Sequence, residues 1–401
     1  MSTTEKLNGY GPLAGVKVVE LCEWVAAPAC VRCLSEMGAT VIKVEPPYGD
    51  AQRTQGPGFG CEQTDMEDPT IDLNNTNKNF VSINLKNEEG MKFMKKLLAD
   101  ADIFVNNLRD KALNKMGLDY ETLHKEFPTL IWAQMRGYGE YGPEKDSPGF
   151  DAVCWAARGG VANVFREDGE SPAIAPQAFG DYNVGHMLAT GIVSALFNRT
   201  RTGKGEKVVT NLYAGAIWGG NIGICATQFG APYPKSRKHV PNPFNNTYRT
   251  YDDKWIYICM PQYDKYYPMM MGLFGHEDQI ENPDTNNLTS LKASGKNVEV
   301  IDWLEKAFAK KTFDEWMAIF KENEVPAQKC FRYTDVVKDE EAYDNDALRM
   351  VEYEAYGKRA LPMTPVRFGS YGDPPVVLSK PIGYHTCLLY TSPSPRDMRR
   401  S

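Results

Sequence analysis

At 401 residues the chain exceeds the ~250–300 residues at which single hydrophobic cores stop growing, so two domains are expected. A 42% hydrophobic and 24% charged composition is that of a water-soluble globular protein, and a formal charge of −7 argues against a nucleic-acid partner, which would call for a basic face. The opening MSTTEK lacks the basic-then-apolar layout of a signal peptide, no apolar run approaches the ~20 residues of a membrane span, and nine scattered cysteines form no disulfide framework. A cytoplasmic protein without a membrane partner is therefore expected.

In chain order, residues 16–21 read as a buried strand, 29–37 as a helix and 40–44 as a second strand. Residues 81–85 form a strand, 88–98 an amphipathic helix, 103–106 a strand, 120–126 a helix and 130–135 a strand. This βαβ grammar predicts an α/β fold with an open, largely parallel, Rossmann-like sheet and ligands at the carboxyl ends of its strands. A long apolar segment with helical spacing follows over 184–197, and 207–212 reads as another strand. The Pro- and Asn-rich passage 231–246 marks a crossing into a smaller α/β domain, with a strand at 255–260 and helices at 298–310 and 312–322. Residues 387–401 break the preceding pattern and read like translated adapter DNA, so they are left out of the fold.

Several motifs carry less than they suggest. Gly137-Tyr138-Gly139-Glu140-Tyr141-Gly142 matches G-x-G-x-x-G after a strand, yet Pro143 and Pro148 interrupt the helix that should hold a pyrophosphate. A loop at the carboxyl edge of the sheet is the expectation, and a nicotinamide- or flavin-dependent oxidoreductase is the weakest functional reading. Cys30 and Cys33 form a lone CxxC on a helix with no second pair, which favours buried cysteines over a zinc or redox site. The five histidines show no metal spacing, and no G-x-S-x-G elbow is present.

Two features point to chemistry. Lys78, Arg109, Lys115 and Arg136 fall near predicted strand ends, where a ligand with several phosphates would be held; ordinary surface charge is the alternative for each. Asp181, after Gly180 and just before the apolar segment, sits where a loop turns into a helix. There a carboxylate either caps the helix or acts as a nucleophile beside free backbone N–H groups.

The runs 13–21 (LAGVKVVEL) and 38–45 (GATVIKVE), Asn77-Lys78, Gly137-Tyr138-Gly139, Pro148-Gly149-Phe150-Asp151, Gly180-Asp181 and Thr202-Gly203-Lys204-Gly205 occur in this order. Together they resemble the class III coenzyme A transferase family, the CaiB/BaiF-like group of formyl-CoA and carnitine-CoA transferases, over about 13–386. The resemblance implies an interlocked ring homodimer, with the substrate site between one subunit's large domain and its partner's small one. The large domain is expected at 1–200 and 335–386, the small domain at 225–330, and linkers at 201–224 and 331–334. It also implies Asp181 as nucleophile, forming an acyl anhydride and then an aspartyl-CoA thioester, with oxyanions stabilised by backbone N–H groups near Gly180. CoA contacts are implied at Lys78, Asn107, Arg109, Lys115, Arg136 and Tyr138, with acyl-CoA and a carboxylic acid as substrates and no further cofactor or metal.

Departures narrow the activity. Val25-Ala26 stand where the formyl-CoA branch has Gln-Ser, and Pro46 replaces an arginine, which counts against formyl or oxalyl specificity. A racemase branch of the same fold would need a histidine at Phe150, and a phenylalanine carries no proton. The stretches 136–151 and 241–244 are most similar to transferases of anaerobic amino-acid fermentation, which act on (R)-2-hydroxy acids such as phenyllactate or 2-hydroxyisocaproate. The resulting expectation is a CoA transferase for such acids, with a non-catalytic CoA-binding paralogue and a racemase as alternatives.

Overall fold

The computed structural model describes residues 10–387, so the adapter-like tail lies outside the described residues except for Cys387. The described residues form two compact units, one of residues 10–161, 174–224 and 340–387, the other of 162–173 and 225–339.

The first unit is built on a six-stranded parallel sheet. Its strands are β1 (Lys17–Leu21), β2 (Thr40–Glu45), β3 (Lys78–Ser82), β4 (Ile103–Asn106), β5 (Ile131–Arg136) and β6 (Lys207–Asn211), in the order β3-β2-β1-β4-β5-β6. This is the expected Rossmann-like arrangement, and its topological switch point lies between β1 and β4. Side chains such as Val18, Val19, Val41, Val81, Phe104 and Ile131 are buried because a parallel sheet covered by helices has no wet face. Helix α1 (Ala26–Glu36) begins three residues earlier than its sequence pattern predicts, and the strand expected at 81–85 is instead β3.

Helix α2 (Phe179–Thr202) extends the predicted apolar segment by a turn or more at each end. It packs on α1 backbone to backbone. A Cβ on Gly185 would come within 2.8 Å of the Ala26 carbonyl oxygen, so only glycine permits this approach. A hairpin of β7 (Leu348–Tyr353) and β8 (Gly357–Pro362) returns the chain to the same unit, where the Tyr353 hydroxyl donates to Asp72 at 2.9 Å and Arg32 donates to the Pro362 carbonyl at 2.7 Å.

Joining β1, β2 and β3 is a fully buried charge network. The Lys43 ammonium contacts Glu20 at 3.0 Å and Asp50 at 2.9 Å, while Lys78 contacts the other Glu20 oxygen at 2.8 Å. Backbone carbonyls complete both lysines, Cys22 for Lys43 and Pro28 for Lys78, each at 2.9 Å. Such charges persist in a low-dielectric interior only because each is paired and hydrogen-bonded.

The second unit contains a three-stranded antiparallel sheet of the segments Asn245–Arg249, Trp255–Cys259 and Ala327–Lys329, with helices over Tyr263–Phe274, Asn297–Phe308 and Phe313–Glu322. Its core is aromatic: Tyr248 stacks on Phe308 at 4.7 Å, and Phe274, Trp316 and Phe320 surround them. Thr312 opens the last of these helices with a reciprocal capping box to Glu315.

Breaking a buried pair leaves an uncompensated charge. Lys78→Met is expected to lower stability by about 3–5 kcal/mol, read as a fall in the thermal or urea midpoint, whereas exchanging the exposed Lys92 for Met should shift it little.

Candidate active site

A cavity of about 400 Å³ opens at the switch point, walled by the segments that leave β1, β4, β5 and β6. Its lining comprises residues 23–26, 107–110, 135–138 and 145–150, together with Asp181 and Leu212. The sheet topology explains the position: adjacent crossovers diverge to opposite faces there and leave a crevice.

Asp181 is not the helix cap. The cap position belongs to Ala178, held in left-handed conformation at φ 59°, and Asp181 is the third residue of α2. Its carboxyl is pushed up to about 7, chiefly by burial and further by the charge of Asp151. The Asp151 carboxyl is raised too, again chiefly by burial, with the Gly180 and Asp181 amides opposing the rise. Asp151 Oδ1 is buried without a hydrogen-bond partner. Gly180 lies inside the first helical turn rather than in the preceding loop, and a Cβ there would meet both Asp151 Oδ1 and the Trp155 ring at 2.3 Å. Glycine is therefore required for the two carboxyl groups to sit together.

The positions expected to contact CoA divide. Arg109, Arg136, Asn107 and Tyr138 line the cavity. Arg136 donates to Asp110 at 2.6 Å and to the Lys145 carbonyl at 2.9 Å, tying the β5 end to the loop that follows. The Asn107 amide is spent on the backbone of Glu23, donating to its carbonyl at 2.7 Å and accepting from its N–H at 3.2 Å. Lys115 is exposed on the last turn of the helix Asp110–Met116 and does not line the cavity. Lys78 does not either, because it opens β3 instead of closing it and its ammonium is sealed in the buried network. Sequence order brought these two near strand ends without revealing which end or which side.

Among the lining residues to which the sequence reading gave no role are Lys145, Glu23 and Trp24. Trp24 has φ 68°, which no sequence pattern of a bulky residue announces. Asp151 entered only as part of a matched motif, without a role.

The glycine-rich stretch after β5 forms a loop and no helix, as its prolines require. Its ends cross. A Cβ on Gly137 would lie 2.8 Å from the Gly149 Cα, one on Gly149 would lie 2.7 Å from the Gly137 Cα, and the Cys154 thiol fills the space beside them. Cys30 and Cys33 are buried on α1, as expected.

A doubly wound sheet whose switch-point crevice holds a half-buried carboxyl group of raised basicity and several cations is the setting of a CoA transferase, and the chain belongs to CoA-transferase family III, whose model matches residues 13–386. Among its relatives, it is 40% identical to the cinnamoyl-CoA:phenyllactate CoA-transferase of Clostridium sporogenes, over 94% of this chain and 92% of that one. It is likewise 40% identical to the (R)-2-hydroxy-4-methylpentanoate CoA-transferase of Clostridioides difficile, over 93% of each. Among solved structures it resembles a CAIB/BAIF family protein from Brucella suis, with TM-score 0.77 and 25% identity over 95% of this chain and 99% of that one.

The raised carboxyl has a signed consequence for stability. Between the ordinary value of about 4 and a folded value of about 7, the native state holds a proton that the unfolded chain gives up, so stability from this group is lost as pH climbs through that window. Asp181→Asn is expected to raise the melting temperature, and by more at pH 8 than at pH 5; an equal gain at both would contradict the shift.

Proposed function

We propose that the protein transfers CoA from an acyl-CoA thioester to a free 2-hydroxy acid, with Asp181 as the covalent nucleophile. The observation that carries this reading is the half-buried Asp181 carboxyl lining the switch-point cavity, next to the buried Asp151. An Asp181 oxygen attacks the thioester carbonyl carbon, the C–S bond breaks, and CoA leaves as thiolate while a mixed anhydride forms. The thiolate then attacks the aspartyl carbonyl of the anhydride, releasing the donor acid and leaving an aspartyl-CoA thioester. The acceptor carboxylate reverses the sequence: it displaces the thiolate to form a second anhydride, which the thiolate opens at the substrate carbonyl, freeing Asp181. Dividing one exchange into such steps lowers each barrier.

The environment suits each demand. A carboxylate of raised basicity is a better nucleophile once ionised, and burial keeps water from an anhydride that it would hydrolyse. Arg109 and Lys145 supply positive charge for the phosphates of CoA, Arg109 in the planar form that pairs with phosphate oxygens, while Arg136 is held by Asp110 and the Lys145 carbonyl. A 2-hydroxy acid as acceptor follows from the two clostridial relatives, whose names specify phenyllactate and (R)-2-hydroxy-4-methylpentanoate. The reading includes a cytoplasmic homodimer; large exposed apolar side chains such as Trp218 (69%) and Ile222 (80%) are suited to cover by a second copy. No described helix is long and apolar enough to cross a membrane.

Two measurements test the chemistry. Incubation with acyl-CoA and hydroxylamine should leave a hydroxamate on the peptide containing Asp181, and Asp181→Ala should lower kcat by about 10⁴-fold or more, the scale on which loss of a covalent nucleophile acts. An unimpaired Asp181→Ala enzyme would overturn the assignment. The acid limb of kcat/KM should fall near pH 7 in place of the value of about 4 for an ordinary aspartate, because the attacking group must be ionised.

A further inference from the structure

Trp24 is the most strained bulky residue in the cavity wall. At φ 68° a tryptophan occupies a region that side chains with a Cβ avoid, and such strain persists only where the surroundings over-determine it. They do so here from both sides. The Trp24 N–H donates to Asp50 Oδ1 at 3.0 Å, and the other Asp50 oxygen is anchored at 2.9 Å by the buried Lys43. The preceding residue, Glu23, has its N–H and carbonyl both clamped by the Asn107 amide. The buried charge network thus reaches the cavity wall through the Trp24 N–H.

What this arrangement presents is an indole held edge-to-face against Phe150, with ring centroids 5.4 Å apart and planes at 87°. Phe150 remains 54% exposed although it lines the cavity, so much of its ring faces open space. The pair stands beside Val25 and Ala26 on one side and Asp151 on the other. The close approach of Gly185 to Ala26 brings Asp181, one helical turn earlier, into the same cavity. None of Trp24, Val25, Ala26 and Phe150 carries charge, and the ionisable residues adjoining them in sequence, Glu23 and Asp151, are acidic and would repel a second carboxylate.

Resting on the reading of Asp181 as nucleophile, we propose that Trp24 and Phe150 form a preorganised aromatic wall that receives the side chain of the acid exchanged there and selects aryl or branched apolar substituents over small or dicarboxylic ones. An aryl substituent gains an offset or edge-to-face partner, and a branched aliphatic one gains burial, without any ordering cost for the wall. A short side chain leaves the wall wet.

The test measures CoA transfer from one acyl-CoA donor to (R)-phenyllactate, (R)-2-hydroxy-4-methylpentanoate, (R)-lactate and malate in the full chain. The wild type should prefer the first two, and Phe150→Ala should lower the phenyllactate-to-lactate ratio of kcat/KM by about tenfold or more, the scale of one lost apolar contact surface. Trp24→Gly is the companion variant, since it deletes the indole at a position whose backbone glycine adopts freely, and it should lower the same ratio. A wild type indifferent among the acids, or ratios within about twofold of wild type in both variants, overturns the wall while leaving CoA transfer intact. A wild type that transfers CoA to none of the four acids overturns the reading of the site itself.

Discussion

Everything at the candidate site depends on how closely one helix lies against another. Helix α2 meets α1 with no side chain between Gly185 and the Ala26 carbonyl, and one turn earlier Gly180 meets Asp151 and Trp155 with the same absence of clearance. These two contacts sink the start of α2 into the crevice at the switch point and carry Asp181 with it. A carboxyl group placed there cannot keep its full hydration, and a second carboxyl group stands next to it. Raised basicity is thus a product of helix packing first and of the neighbouring Asp151 charge second.

The first unit holds charge at two depths, and they serve different ends. Glu20, Lys43, Lys78 and Asp50 are sealed from water and mutually compensated. Asp151 and Asp181 are only partly compensated, by two backbone amides and by no described cation. The deep network is sealed and compensated, while the shallow pair is left in an unfavourable state that the proposed attack on a thioester would relieve. Proteins tolerate such local cost at functional positions when the surrounding fold is secure.

Much of the fold was legible because parallel strands and amphipathic helices have distinct periods. The position of the crevice followed in turn. What the sequence did not disclose was the end of a strand at which a residue sits and the direction of its side chain. Lys78 and Arg136 look alike as cations at strand boundaries, yet one is entombed and the other lines the cavity. Trp24 was invisible because its conformation is imposed by Asp50 and Asn107, residues 26 and 84 positions distant in the hydrogen bonds that hold this segment. The cap at Ala178 eluded inspection for a similar reason, since alanine has no local preference for a left-handed backbone.

The crossing of Gly137 and Gly149 over Cys154 has a bearing on how such enzymes diversify. Because the two ends of the loop are pinned to each other, residues between them can lengthen, shorten or change composition without displacing β5 or the segment that leads to Asp151. The loop is a cassette with a fixed socket. Its contents face the cavity at Lys145, Asp146 and Ser147, so exchanging it between relatives offers a way to vary ligand contacts while the carboxyl pair stays in place.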